Sequence, residues 1–426
     1  GFGRTGTVDW QVSSIKTTTF TAANGEGYFV DTSSGSVTAN LPAGTAGAIV
    51  AVADYANTAD TNKITISPNG SNKIQGIARD FEITTEGGSV TLVFVDSVQG
   101  WRPTDASTAA AITENAVFIS ATGGTVTTCG DFKIHSFTGP GTFCISAGAG
   151  PVANLDYVVV AGGGGGGGST SPGGGGAGGG AGGYRESHCA STSGSYTASP
   201  LATPSSLPVS PGAIPVTVGG GGTGKGPGAF VNGFGSNSIF STITSTGGGG
   251  GGMNNSPGQT RASPTTTSDG ASSNSTFVGG AGGSGGGGGF FNYLGGAGNT
   301  PPVTPSQGNN GGQGSAAPKY SGAGGGGAGA VGSNASPSAG GNGGAGTTSN
   351  ITGSPVTRAG GGGGSSTNST DGSGGSGGGG SGTSPGGTGG AGTANTGGGG
   401  GAGGSPGNAT GGAGGPGVVI VRYKFQ

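Results

Sequence analysis

LDYVVVAGGGGGGG at residues 155–168 and GVVIVRYKF at residues 417–425 decide how this chain reads. Both are runs of β-branched and aromatic residues of the kind that form strands. The first passes directly into seven consecutive glycines, and the second closes the glycine-rich region. In the closing run Val419, Val421 and Tyr423 share one face at period two, and Val418, Ile420 and Arg422 share the other. A flexible tether has no use for such a strand at its far end, so the glycine tracts between these runs read as ordered structure.

Composition points the same way. Glycine occupies 115 of 426 positions, methionine occurs once and charged residues make up 7%. A helical bundle cannot be built from this. Glycine loses more backbone entropy than any other residue on folding and brings no side chain to bury, so a hydrophobic core alone cannot order the last two thirds. Composition leaves two readings, a solvated linker and polyglycine II. The latter is a left-handed three-residue helix rising about 3.1 Å per residue, whose lack of Cβ atoms lets neighbouring threads exchange main-chain hydrogen bonds. A strict G-X-Y period is absent, which excludes collagen.

Before the glycine tracts the pattern is all-β. Residues 1–105 read as a small β domain with short strands every 8 to 12 residues, among them Lys63 to Ser67 and Ser89 to Val95. Ile64 and Ile66 alternate, as do Val90, Leu92 and Phe94, and Asn69-Gly70 marks a turn. A linker is expected over 106–116. The glycine-rich domain then runs over 117–426, a β sandwich with strands within 117–161, 214–218, 237–245 and 417–425 and long glycine excursions between them. Gly139-Pro140-Gly141 predicts a hairpin from Phe132 to Ile145. Cys129 and Cys144 flank it and are the candidate disulfide pair, held as thiols for as long as the chain stays in a reducing cytoplasm.

The formal net charge of −2 carries no basic stripe, so nucleic acid is not an expected partner. The apolar runs, such as Leu92 to Val95, are too short to span a membrane. GGGGTGKG at 219–226 approximates a phosphate-binding loop but places Gly226 where a magnesium-binding hydroxyl is required. His188-Cys189 lacks an evident third residue to orient the imidazole. Two histidines and three cysteines make a zinc site unexpected, and the glycine-rich half holds few acids besides Asp269 and Asp371. The chain is therefore expected not to be an enzyme and to need no cofactor. Aromatic residues that interrupt glycine tracts are the candidates for ligand contact, because glycans bind exposed aromatic faces beside amides. Tyr184, Arg185, Phe291, Tyr293 and Tyr320 are the candidate receptor-contact residues, the competing expectation being that Phe290 and Phe291 plug the end of the bundle or a trimer interface.

VDWQ at Val8 to Gln11, GEGYFVDTSSGSVTANLPA at Gly25 to Ala43 and NKITISPNGSNKIQG at Asn62 to Gly76 resemble a module of phage tail-fibre and virion structural proteins, especially those of cyanophages. TTCGDFKIHSFTGPGTFCIS, AGGYRES, IPVTVGGGG and the closing GVVIVRYKF resemble a phage-type glycine-rich domain. A similar plan, a β sandwich from which polyglycine II threads emerge, occurs in phage adhesins and in the glycine-rich region of some animal receptor kinases. The resemblance implies a tail-fibre or adhesin-like virion protein, exposed on the virion surface and presenting loops to a host glycan or outer-membrane protein. It also implies a homotrimer contacting other virion proteins. The alternatives are a virion connector or decoration protein without host contact, and a bacterial cell-surface glycine-rich adhesin.

Overall fold

The computed structural model describes residues 8–106, 113–114, 117–149, 153–170, 174–226, 233–253, 265–266, 272–273, 278–316, 320–367 and 370–426. The chain forms two compact units, divided between Val117 and Phe118. Both are β structures, and the single α-helix among the described residues is the short Ala190–Ser193.

In the first unit the strands divide between two five-stranded sheets. One runs Asp9–Trp10, Glu26–Val30, Ile49–Asp54, Ser89–Asp96, Gly100–Ala106; the other Thr113–Glu114, Phe81–Ile83, Ile64–Ser67, Val37–Asn40, Phe20–Thr21. Up to Ile64–Ser67 successive strands change sheet, so neighbours there run parallel, as Glu26–Val30 does with Ile49–Asp54 and Val37–Asn40 with Ile64–Ser67, while the later strands Phe81–Ile83, Ser89–Asp96 and Gly100–Ala106 pair antiparallel. The expected alternation sets the core: Ile64, Ile66, Val90, Leu92 and Phe94 are buried, with Trp101 packed edge-on to Phe94. Of the expected linker, 107–112 and 115–116 lie outside the described residues, and Thr113–Glu114 pairs with Phe81–Ile83.

The second unit contains two large sheets and two two-stranded ones, Thr265–Thr266 with Ser272–Ser273 and Thr347–Ser349 with Val356–Arg358. Of the large sheets, one runs Val117–Thr122, Gly141–Ala149, Gly212–Thr217, Ser238–Phe240, Ile243–Ser245; the other Thr125–Cys129, Phe132–Phe137, Val418–Lys424, Asn154–Val160, Tyr184–Ser187, Ala202–Thr203. The closing strand is central, antiparallel to Phe132–Phe137 on one side and to Asn154–Val160 on the other. Its two faces do different jobs. Val419, Val421 and Tyr423 pack with Phe143, Tyr157 and Phe240 in one core, while Val418 and Ile420 join Val158, Val160, Ala181 and Tyr184 in another.

Two expectations are corrected here. Phe132–Phe137 and Gly141–Ala149 belong to different sheets, so Gly139-Pro140-Gly141 carries the chain across the sandwich instead of folding it back as a hairpin. The longer apolar strand Val418–Lys424 takes the place beside Phe132–Phe137. That separates the expected disulfide pair: Cys129 ends a strand of one sheet, Cys144 is exposed on the other, and all three cysteines are free thiols.

The glycine excursions form a lattice. Along 161–167 the N–H groups of Ala161, Gly164 and Gly167 donate to Gly183, Gly180 and Ala177. Those of Gly162 and Gly165 donate to Ser236 and Gly233, and those of Gly163 and Gly166 to Gly415 and Gly412. Carbonyls follow the same count, Gly162 and Gly165 accepting from Gly248 and Gly251, Gly163 and Gly166 from Gly222 and Lys225, and Gly164 and Gly167 from Gly400 and Gly403. Every third residue thus addresses the same neighbour, and this thread bonds six others, three antiparallel and three parallel. That is the threefold repeat of polyglycine II, and no glycine of this thread has a positive φ. Glycine is required by approach: a Cβ on Gly163 would stand 2.1 Å from the oxygen of Gly398, and one on Gly166 2.0 Å from that of Gly401.

Candidate functional site

The lattice has one end at the sandwich and one end away from it, and the expected receptor-contact residues divide between the two. Thread 174–183 shows the division. At its far end Gly175 N–H donates to the carbonyl of Tyr320, while at its near end Gly183 N–H donates to that of Thr246 and the chain enters Tyr184–Ser187. Nine steps of about 3.1 Å separate those ends by roughly 28 Å. Tyr184 and Arg185 therefore lie at the base, and Phe291 and Tyr320 at the tip, so the five residues do not form one patch.

Tyr184 is a core residue, not a displayed one. It is buried, and its hydroxyl donates to Glu186 Oε2 at 2.8 Å. The carboxylate of Glu186 also accepts from the Ser199 N–H at 3.1 Å and from the Ser349 hydroxyl at 2.6 Å, and burial raises the Tyr184 phenol well above its ordinary value. Arg185 is half-buried in register with Val159. A second buried carboxylate, Asp156, accepts from Ser187 Oγ at 2.9 Å, from the Cys189 N–H at 2.7 Å and from Ser193 Oγ. These carboxylates dock the segment around Ala190–Ser193 and the hairpin of Thr347–Ser349 with Val356–Arg358 against the sheet, because a buried carboxylate must be saturated by donors. Sequence reasoning passed over this network. Its signal was the charge inside apolar strands: Asp156 in LDYVVV, Glu186 in YRES and Arg422 in VVIVRYK.

At the tip, Phe290, Phe291 and Tyr320 form an aromatic cluster with centroid separations of 4.5 Å, 5.8 Å and 4.7 Å. Phe290 is buried and plugs the lattice end, as the competing expectation had it, while Phe291 is 51% exposed. Phe291 and Asn292 have φ of 59° and 57°. A bulky residue held there stores strain, which is commonest at ligand-contacting positions. Tyr293 is half-buried, and its carbonyl accepts from Gly314 N–H at 3.0 Å. A cleft of about 320 Å³ is lined by Asn292, the residue after Phe291, and by Gln313, Ser315, Asn334 and Pro337, and the Phe291 N–H donates to the carbonyl of Ser315 on its wall at 2.9 Å. An exposed aromatic face beside amides and a hydroxyl suits a sugar ring, which offers C–H groups on one side and hydroxyls at its rim. The amides are the residues that sequence reasoning missed, because nothing in a Gly-Asn-Gln-rich stretch says which amides meet.

The remaining candidates resolve structurally. Asp156 Oδ2 comes no nearer than 3.9 Å to His188 Nδ1, which is buried without a hydrogen-bond partner among the described residues, so nothing there orients the imidazole as a base. Cys189 Sγ instead meets Ser191 Oγ at 3.1 Å, and hydrogen bonding from Ser191 lowers the thiol below its ordinary value. His135 is buried between Gly123 and Tyr423. Lys225, of the loop resembling a phosphate site, lies on a lattice thread with its N–H bonded to Gly166. No cluster of three or more His, Cys, Asp or Glu able to hold a metal occurs among the described residues.

No curated protein matches the sequence. The model of the glycine-rich domain family matches residues 135–424, from His135 beside the closing strand through the whole lattice to that strand itself. With two thirds of its length matched, and with the sandwich and lattice that its glycines build, the chain belongs to the glycine-rich domain family.

Proposed function

We propose that this chain is a phage virion structural protein of tail-fibre or adhesin type that attaches to a host-surface glycan through the Phe291 end of its lattice. The observation that carries the reading is a strained, exposed aromatic ring beside an amide-lined cleft at the far end of a stiff bundle. The phage assignment is supported by the segments at Val8 to Gln11, Gly25 to Ala43 and Asn62 to Gly76. Single sugar contacts are weak, and a homotrimer with several fibres per particle would convert them to firm attachment by avidity. No catalytic step is assigned to the site.

The test is binding of the full chain to surface polysaccharide from susceptible and resistant hosts, with Phe291→Ala as the variant. Loss of the stacking face should weaken binding by roughly tenfold, about 1.4 kcal/mol, without lowering the melting temperature, since the ring is half exposed. Equal binding to both polysaccharides, or an unaffected variant, would favour the connector or decoration role.

A further inference from the structure

The base of the lattice carries a second cleft, of about 520 Å³, lined by Cys129, Ser195, Tyr196, Thr197, Asn350 and Arg422. Arg422 comes from the central strand and is 5% exposed. Its Nε donates to the Ser193 carbonyl at 2.9 Å and one terminal nitrogen, Nη1, donates to the Ile351 carbonyl at 3.0 Å. The guanidinium lies 4.7 Å from the Phe132 ring centroid and 5.1 Å from that of Tyr196. Four groups thus hold its plane in place.

What the guanidinium lacks is a direct ion-pair partner. Asp156 stands opposite Arg422 in strand register, but its carboxylate is taken by Ser187, Cys189 and Ser193, and Glu186 is taken by Tyr184, Ser199 and Ser349. No ion pair of Arg422 is formed among the described residues. Its second terminal nitrogen, Nη2, has no hydrogen-bond partner among them, yet it is not sealed from solvent. Burying a charge without a partner is costly, whereas an anion completing a planar guanidinium fork makes two strong, charge-assisted bonds. The cleft walls offer more donors. The side chains of Ser195, Thr197 and Asn350 make no hydrogen bond among the described residues, and Asn350 is fixed by its backbone N–H to the Thr197 carbonyl at 2.9 Å.

We propose that this cleft is a binding site for a small oxyanion, a carboxylate or phosphate group, seated on Arg422 with Ser195, Thr197 and Asn350 around it and the Tyr196 ring as one wall. The carboxylate of an acidic sugar and free inorganic phosphate share the required chemistry. The site lies at the opposite end of the lattice from Phe291 and does not depend on the attachment reading.

Cys129 makes the proposal testable, because its thiol lines the cleft while Cys144 is exposed on the other sheet and serves as an internal reference. Alkylation of the full chain by iodoacetamide is followed by mass spectrometry at both cysteines, with sodium glucuronate, sodium phosphate, glucose or sodium chloride at matched ionic strength. Slowing of Cys129 several-fold by glucuronate or phosphate, with Cys144 unchanged, is expected. Protection by glucuronate alone identifies a carboxylate site, and protection by both identifies a general oxyanion site. Asn350→Asp, which sets a carboxylate in the cleft without touching the guanidinium's anchors, should abolish protection. Arg422→Lys should do the same where its melting curve shows that it folds. The proposal is overturned if no anion protects Cys129, if glucose or chloride protects it equally, or if Asn350→Asp leaves protection intact.

Discussion

A methyl group is enough to distinguish the lattice glycines from the merely frequent ones. Gly163 has a carbonyl oxygen 2.1 Å from where its Cβ would sit, whereas Gly220 has open space. Gly163→Ala should therefore cost about 1–3 kcal/mol as an overpacked substitution. Gly220→Ala should be neutral or stabilise by up to about 1 kcal/mol through the unfolded chain. Denaturant midpoints of the two variants check this, and equal midpoints would contradict the packing. His135 makes a pH-dependent contribution. Its Nδ1 lies 2.7 Å from the Gly123 carbonyl and its Nε2 2.9 Å from the Tyr423 hydroxyl, the tautomer with Nδ1–H donating and Nε2 accepting. Burial holds the imidazole below its usual range, with Lys133 adding to the effect and the Gly123 carbonyl opposing it. Burial likewise pushes Tyr423 up to about 12, so its phenol stays a donor. On acidification the unfolded state takes up the proton first. The contribution is thus complete above about pH 6.5 and is lost as pH falls towards the lower folded value. Urea midpoints from pH 7.5 to 5 should fall more steeply in the parent chain than in His135→Gln, and parallel slopes would refute the assignment.

Lattice threads are stable only as part of a clad bundle. A main-chain hydrogen bond nets about 0.5–1.5 kcal/mol, while ordering a residue's backbone costs about 1–2 kcal/mol and glycine sits at the costly end. Bonding alone falls short of that cost, so the strands at the base decide whether the threads stay ordered. The central strand Val418–Lys424 pairs on both edges and buries both faces, which makes it the clasp. Amide exchange over Gly162–Gly167 should accordingly be slow in the intact chain, matching the buried six-neighbour bonding, and should approach unstructured-peptide rates in a chain shortened to residue 417. Fast exchange in the intact chain would replace the lattice by a loose tether.

At the scale of the whole molecule, what the sequence made legible was whatever depends on local period. The alternation of Ile64 with Ile66, the two faces of Val418–Lys424 and the threefold thread all follow from spacing along the chain. What depends on distant partners was not legible. Parallel pairing in the first unit joins strands separated by one in the other sheet, and Gly139-Pro140-Gly141 looks alike whether it closes a hairpin or crosses a sandwich. Tyr184 reads as a tip aromatic because it follows two glycines, yet Glu186 two residues on draws it inside. The same threefold bonding has an evolutionary corollary. Insertions or deletions of three residues within a thread preserve which neighbour each amide faces, whereas a single-residue change turns every later amide by about 120° towards the wrong one. Tip loops are exempt from that reading frame, so variation in such a molecule should accumulate there in any length, and in the threads only by triplets.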